Sequence, residues 1–324
     1  MAQAAPLVSI PEAPVPPGGA AEWFCGADGN RLRAASFFPA GQPRGSVVLS
    51  PGRTEAIEKY FEAVEELLAR GFAVVVHDWR GQGLSYRSLP DRLKGHASGF
   101  ADFVGDYTAL LDHFESRLPK PWIALSHSMG GCLTMLALAH GEKRFAAAIL
   151  TAPMLGLNTG ARGKGAARLL AAVMSRLRPG AYVLGDPGQP FGKGFETNVL
   201  THDRRRYERN VAQLRANEEL ALGSPTWGWL AFAFAAVAWL RAAPGIGKID
   251  IPVVALGAAQ EKLVDNKDQQ AVIARVPRGR WLEVPGSYHE ILQETDDIRA
   301  IFWREFDALV SALPVHPGEG REAS

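Results

Sequence analysis

The stretch from Trp122 to His140 constrains this chain more than any other. A short apolar run, Trp122-Ile123-Ala124-Leu125, leads into Ser126-His127-Ser128-Met129-Gly130-Gly131, and an apolar helical run from Cys132 to His140 follows. The pattern reads as strand, sharp turn, helix, with Ser128 at the apex and Gly130 two residues on. This is the spacing of the G-x-S-x-G nucleophile elbow, with Ser126 in place of the first glycine. Small residues at 126, 130 and 131 let strand and helix close on one another while Ser128 is lifted clear. The helix N-terminus behind it offers backbone N–H groups to negative charge developing on a substrate oxygen. A serine in an ordinary strand-helix turn would look the same over so few residues, so the reading depends on the remainder of the chain.

That remainder alternates. Glu22 to Cys25 and Arg31 to Phe38 read as an antiparallel hairpin, and Gly45 to Ser50 as a compact buried strand. Thr54 is placed to cap a helix with Ile57, Tyr60, Phe61, Val64, Leu67 and Leu68 on one face and Gly71 as its stop. Strand Phe72 to His77, a helix with Phe100, Phe103, Tyr107, Leu111 and Phe114 on one face, the elbow strand and strand Phe145 to Leu150 follow. This order predicts an α/β fold, a mostly parallel sheet with helices on both faces and ligand chemistry at the C-terminal ends of the strands. From 154 to 244 the alternation stops, and this segment reads as an inserted, largely helical cap. It resumes over 245–313 with strands Ile251 to Leu256 and Trp281 to Val284 and helices near Asn266 to Val276 and Asp296 to Leu313. The core thus spans 20–153 and 245–313. Residues 1–19, with prolines at 6, 11, 14, 16 and 17, read as a disordered extension, and 314–324 as a disordered tail.

Composition narrows the partners. With 35 basic and 34 acidic residues the formal net charge is +1, so no global field draws the chain to nucleic acid. No secretory leader is legible at the N-terminus. The apolar stretch after Gly223-Ser224-Pro225 starts as a helix near Thr226, with Ser224 as cap. To Leu240 it would span roughly 22 Å at ~1.5 Å per residue, short of a ~30 Å hydrocarbon core. The chain is therefore read as cytoplasmic, with peripheral contact at the inner membrane face left open. Cys25 and Cys132 are spaced neither for a disulfide nor for a metal.

A serine nucleophile needs a base, and the base an orienting acid. Of the eight histidines, His289 lies just past the last strand, where a loop at the sheet's C-terminal edge brings an imidazole to Ser128. His77 precedes the elbow, against the order serine, acid, histidine, and His127, His113 and His140 read as packing residues. The acid belongs in Gly257-Ala258-Ala259-Gln260-Glu261-Lys262-Leu263-Val264-Asp265, where Glu261 is closer to the strand end and Asp265 is also placed to cap the next helix. Glu261 is preferred, with Asp265 as the alternative. The backbone amides of Met129 and Arg53, the latter after Pro51-Gly52, are the expected oxyanion donors.

Ser50-Pro51-Gly52-Arg53-Thr54-Glu55 with Lys59-Tyr60, Asp78-Trp79-Arg80-Gly81-Gln82-Gly83-Leu84-Ser85, the Ser128 elbow, Leu200-Thr201-His202 and Ser287-Tyr288-His289-Glu290-Ile291-Leu292 together resemble the bacterial lysophospholipase and monoacylglycerol lipase branch of the α/β hydrolases. The resemblance spans about Ala20 to Leu313. It implies a serine esterase acting on single-chain acylglycerols or lysophospholipids, with a small-molecule lipid or ester as partner and no metal or organic cofactor. It aligns the family's acidic residue with Glu261. A small-ester carboxylesterase or aminopeptidase-like hydrolase on the same triad is the alternative, and a non-catalytic binding protein on this fold a second one.

Other features have plainer readings. Gly81-Gln82-Gly83 lacks the third glycine of a nucleotide loop and is read as a structural turn. Arg204, Arg205, Arg206 and Arg209 read as a solvated helix face, with a phosphate headgroup as the sharper alternative. The run around Trp227, Phe232 and Phe234 is apolar nearly all round, so these three are assigned to acyl-chain binding as well as to packing.

Overall fold

The computed structural model describes residues 3–160, 163–192 and 194–314. Among them nine strands form one sheet: β1 (Gln3–Ala5), β2 (Ala20–Cys25), β3 (Arg31–Phe37), β4 (Ser46–Ser50), β5 (Ala73–His77), β6 (Trp122–His127), β7 (Phe145–Thr151), β8 (Val253–Ala258) and β9 (Gly279–Val284), in the spatial order β1-β2-β3-β5-β4-β6-β7-β8-β9. The first three strands and the β3/β5 pair are antiparallel, and everything from β5 across β4 to β9 is parallel. The central strands are short, continuous apolar runs because both faces are covered. Along β4, Val48 joins one core while Val47 and Leu49 join the other, and β5 and β6 divide in the same way.

Helices α1 (Phe61–Ala69) and α8 (Asp296–Ser311) pack on one face. The other carries α2 (Phe100–Phe114), α3 (Met129–Ala139), α6 (Trp227–Ala242) and α7 (Asn266–Ile273). Between β7 and β8 lie α4 (Lys164–Leu177), α5 (Arg204–Ala216) and α6. No helix of the described residues is long and apolar enough to cross a membrane.

Four expectations need correction. Of the disordered extension expected over 1–19, the described residues 3–19 are ordered: β1 pairs with β2, Ile10 and Ala13 are buried, and the Pro6 carbonyl accepts from Arg33 Nη1 at 3.0 Å. A three-residue strand suffices at a sheet edge whose outer hydrogen-bonding groups are otherwise unpaired. Thr54 caps no helix. It sits at φ 64, and a 3-10 turn over Ile57–Tyr60 precedes α1, burying the same apolar face in a tighter winding. The cap of α6 is Thr226, whose hydroxyl accepts from Trp229 N, in place of Ser224. The basic residues of α5 are a solvated face only in part: Arg204 and Arg205 are exposed, but Arg206 is buried against Glu62, Asp203 and Asp296, and Arg209 also bonds Glu62. Of the tail expected over 314–324, all but Pro314 lies outside the described residues.

Candidate active site

Strand β6 ends at His127 and α3 begins at Met129, so Ser128 alone makes the turn. Its φ of 48° and ψ of −112° are conformationally expensive for a residue with a Cβ, a cost of about 1–3 kcal/mol. The neighbouring backbone holds it there. Ser128 N donates to Thr151 O at the end of β7 (3.0 Å), and Ser128 O accepts from Met154 N (2.9 Å) and Cys132 N (3.1 Å). The elbow glycines have steric reasons. A Cβ on Gly130 would stand 2.3 Å from Ser50 O and 2.6 Å from Pro51 O, and one on Gly131 2.7 Å from Pro153 Cβ. Ser126, where a glycine is usual, bonds its hydroxyl to Thr134 Oγ1 at 2.8 Å and so ties strand to helix.

His289 Nε2 lies 3.0 Å from Ser128 Oγ, and its Nδ1 lies 2.7 Å from Glu261 Oε2. The other Glu261 oxygen accepts from the amides of Lys262, Leu263 and Val264 at 2.9, 2.8 and 3.3 Å, which fixes the carboxylate's orientation. Burial raises the Glu261 pKa, but the bond to His289, its charge and these amides outweigh it, and the carboxyl sits below its ordinary value. Asp265, the alternative acid, is engaged elsewhere: it caps α7 through Lys267 N and Asp268 N and pairs with Lys164 Nζ at 2.6 Å. The His289 loop is laced to the segment after α4, because Glu290 N donates to Leu200 O (2.8 Å) and Thr201 Oγ1 to Gln293 O (2.6 Å).

Arg53 and Met129 both border the cavity over Ser128. As the first residue of α3, Met129 has an amide with no intrahelical acceptor. The Pro51-Gly52-Arg53 loop is held from behind by the side chains of Trp79, Gln82 and Glu55. Trp79 Nε1 donates to Pro51 O (2.8 Å), Gln82 Nε2 to Gly52 O (2.7 Å) and Glu55 O (3.0 Å), and Gly52 N to the Glu55 carboxylate. Gly52 is needed because a Cβ there would meet His127 at 2.8 Å. The turn around Gly81-Gln82-Gly83 therefore fastens the candidate oxyanion loop. His127 is a packed neighbour, its Nδ1 at 3.0 Å from Thr151 O and its pKa pushed down to about 4 by burial.

The cavity measures about 250 Å³. Met154, Leu157, Leu200, Trp229, Leu263 and Val264 form its apolar wall. None of the three aromatic residues assigned to acyl binding lines it. Phe232 stacks on Phe103 in the core, Phe234 borders a separate groove of about 290 Å³, and Trp227 lies on neither. The missed residue is Trp229, on the same run, because the face that α6 presents depends on its packing against α2 and α3. A wider groove of about 530 Å³ between α1 and α8 contains no serine, cysteine or histidine. Among the described residues no group of three or more His, Cys, Asp or Glu side chains is arranged to hold a metal ion.

The sheet order, the strained serine and the histidine loop beyond β9 define the chain as an α/β hydrolase. A soluble variant of monoglyceride lipase from Saccharomyces cerevisiae, solved with a substrate analog, shares this fold with a TM-score of 0.70 at 18% identity, over 87% of this chain and 93% of that one. Over residues 41–296 the sequence matches Hydrolase_4, described as serine aminopeptidase, S33, and the chain belongs to that family. It is 35% identical to lysophospholipase L2 of Escherichia coli K12 over 290 residues, 86% of this chain and 83% of that protein. Monoacylglycerol lipase of Mycolicibacterium smegmatis is 26% identical over 284 residues, 84% of this chain and 91% of that protein. The expected resemblance to the lysophospholipase and monoacylglycerol lipase branch is borne out.

Proposed function

We propose that the chain hydrolyses carboxylic esters of single-chain lipids, lysophospholipids or monoacylglycerols, through an acyl-enzyme on Ser128. The carrying observation is the relay of Ser128 Oγ, His289 Nε2, His289 Nδ1 and Glu261 Oε2, with contacts of 3.0 and 2.7 Å at an apolar cavity. His289 takes the Ser128 proton as Oγ attacks the ester carbonyl, and the oxyanion sits against the amides of Met129 and Arg53. The same proton passes to the leaving alkoxide, and water, with His289 again as base, releases the fatty acid. Residues 154–244 serve as the cap, since Leu157, Leu200 and Trp229 of this segment wall the cavity.

An aminopeptidase would need a carboxylate for the substrate ammonium. The two other carboxylates at the cavity, Glu55 and Glu290, both bond Lys59 Nζ, at 2.8 and 2.6 Å, which favours the ester reading. The test is turnover of long-chain lysophosphatidylcholine, monoacylglycerol, short p-nitrophenyl esters and an aminoacyl arylamide. Ser128→Ala is expected to remove ester activity, Glu261→Gln to lower kcat by ~10³- to 10⁴-fold, and Asp265→Asn by less than about tenfold. Crippling by Asp265→Asn alone would move the acid, and turnover of the arylamide alone would replace the ester reading.

A further inference from the structure

Arg53 lines the cavity over Ser128 with Trp229, and its guanidinium has no counterion among the described residues. Nη2 donates to Gly223 O at 2.5 Å, and the group lies over the Trp229 ring, 5.1 Å from its centroid. Nε is buried without an acceptor, and among the described residues Nη1 has no partner and no carboxylate pairs with the group. Burial alone pushes its pKa down to about 10. Arg87 also lacks a carboxylate and has an unpartnered Nε, but its two terminal nitrogens are spent on the carbonyls of Gly83, Arg92, Glu219 and Ala221, and other buried arginines are paired with carboxylates. Arg33 bonds Glu58 and Asp78, Arg206 bonds three carboxylates, and Arg299 bonds Glu62 and Glu66. Of the basic cluster on α5, which the sequence offers for a headgroup, Arg204, Arg206 and Arg209 are paired with carboxylates of the protein, and Arg205 lies 4.0 Å from Glu62.

Leaving a cation partly desolvated and unpaired is costly unless an anion completes it. The site has room for one. A Cβ on Gly95 would lie 2.4 Å from Arg53 Nη2, so glycine there lets the guanidinium seat against backbone. The cavity's own carboxylates, Glu55 and Glu290, share Lys59 and neither pairs with Arg53. With Nη2 on Gly223 O and Nε buried, Nη1 is the donor left for a phosphate oxygen, held in a fixed direction by the planar group where Lys would offer only a mobile point charge. We infer that the Arg53 guanidinium, backed by the Trp229 face and Gly223 O, binds the phosphodiester of a single-chain phospholipid whose acyl ester sits at Ser128. Arg53 is then the residue that favours lysophospholipid over monoacylglycerol. The inference rests on the ester-hydrolase reading above and names its preferred substrate.

The experiment compares kcat/KM for lysophosphatidylglycerol and for a monoacylglycerol of the same chain in wild type, Arg53→Met and Arg53→Lys. Using the ratio cancels any effect on the oxyanion amide, which both esters share. Arg53→Met is expected to lower the lysophospholipid-to-monoacylglycerol ratio by ~10- to 100-fold, carried by KM, and Arg53→Lys to restore part of it. An unchanged ratio, or parallel loss on both esters, overturns the inference. Should Arg53→Met not fold, wild type alone decides: glycerol 3-phosphate is expected to slow fluorophosphonate labelling of Ser128 and glycerol is not, and equal effects overturn it. Inorganic phosphate that inhibits p-nitrophenyl butyrate hydrolysis through Arg53 while the lipid ratio stays fixed marks a free-anion site, which also overturns it. Wild type active on monoacylglycerol but not on lysophospholipid overturns this inference and spares the ester reading. No ester turnover overturns both.

Discussion

The elbow and the segment between β7 and β8 hold their shapes by different forces. Around Ser128 the contacts are backbone against backbone: α3 and β4 approach so closely that a methyl on Gly130 would sit 2.3 Å from Ser50 O. On the inserted segment, α5 is fixed by charge. Arg206 Nη2 reaches Glu62 on α1 at 2.7 Å and Asp296 at the start of α8 at 2.5 Å, and Arg206 Nη1 reaches the Asp203 cap of its own helix at 2.7 Å. Steric closure leaves no slack, because backbone cannot yield as a side chain can. Ion pairs tolerate small displacements and respond to pH. The candidate nucleophile lies in the stiff region and the cavity wall partly in the adjustable one, a division that suits one chemistry with variable substrates.

The largest effect is expected from breaking the steric side. Gly130→Ala forces Cβ into two carbonyl oxygens and displaces either α3 or the Pro51-Gly52 loop, so the Met129 and Arg53 amides no longer converge. Loss of one oxyanion donor costs ~10²- to 10³-fold in rate, and overpacking adds about 1–3 kcal/mol of destabilisation. Ester turnover with urea unfolding checks both, and a variant with near wild-type rate would show that the loop is not held as described. Arg206→Met attacks the other side. It leaves part of a buried network without its cation and is expected to destabilise by about 1–3 kcal/mol, while the rate of fluorophosphonate labelling at Ser128 stays within about twofold. Loss of labelling at full stability would reverse the comparison.

The same difference explains what the sequence made legible. The elbow, the parallel order of the strands and the His289 position follow from local patterns: small residues at fixed spacing, apolar runs, and a histidine after the final strand. Glu261 and Asp265 compete within one loop, and it is the cap at Asp265, itself readable, that occupies that carboxylate. Partnerships across long separations were not legible. Glu62 and Arg206 are 144 residues apart, and Gln82 with the Gly52 carbonyl 30 apart, with no periodicity to announce either. The rotation of α6 is a tertiary outcome as well. An all-apolar helix does not reveal which face meets the core, so Phe232 and Trp229 exchange the roles their composition suggests.

The smallest effect gives the finest test, because the charge-held region should respond to acid through a carboxylate of its own. Burial raises the Glu62 carboxyl, yet the bonds from Arg206 and Arg209 and the Arg299 charge outweigh it and hold it near about 2, below its ordinary 4.5. A carboxyl lowered on folding contributes its full stability above the ordinary value and loses it as pH falls through the folded one. The stability gap between wild type and Glu62→Gln is therefore expected to be constant above about pH 5 and to shrink from there towards pH 2. Urea unfolding across that range measures it. The Gly130→Ala gap has a different carboxylate behind it, Glu55, which accepts from Gly52 N, so its acid dependence should persist in a Glu62→Gln background, and loss of that dependence there would mean that the elbow, too, depends on this network.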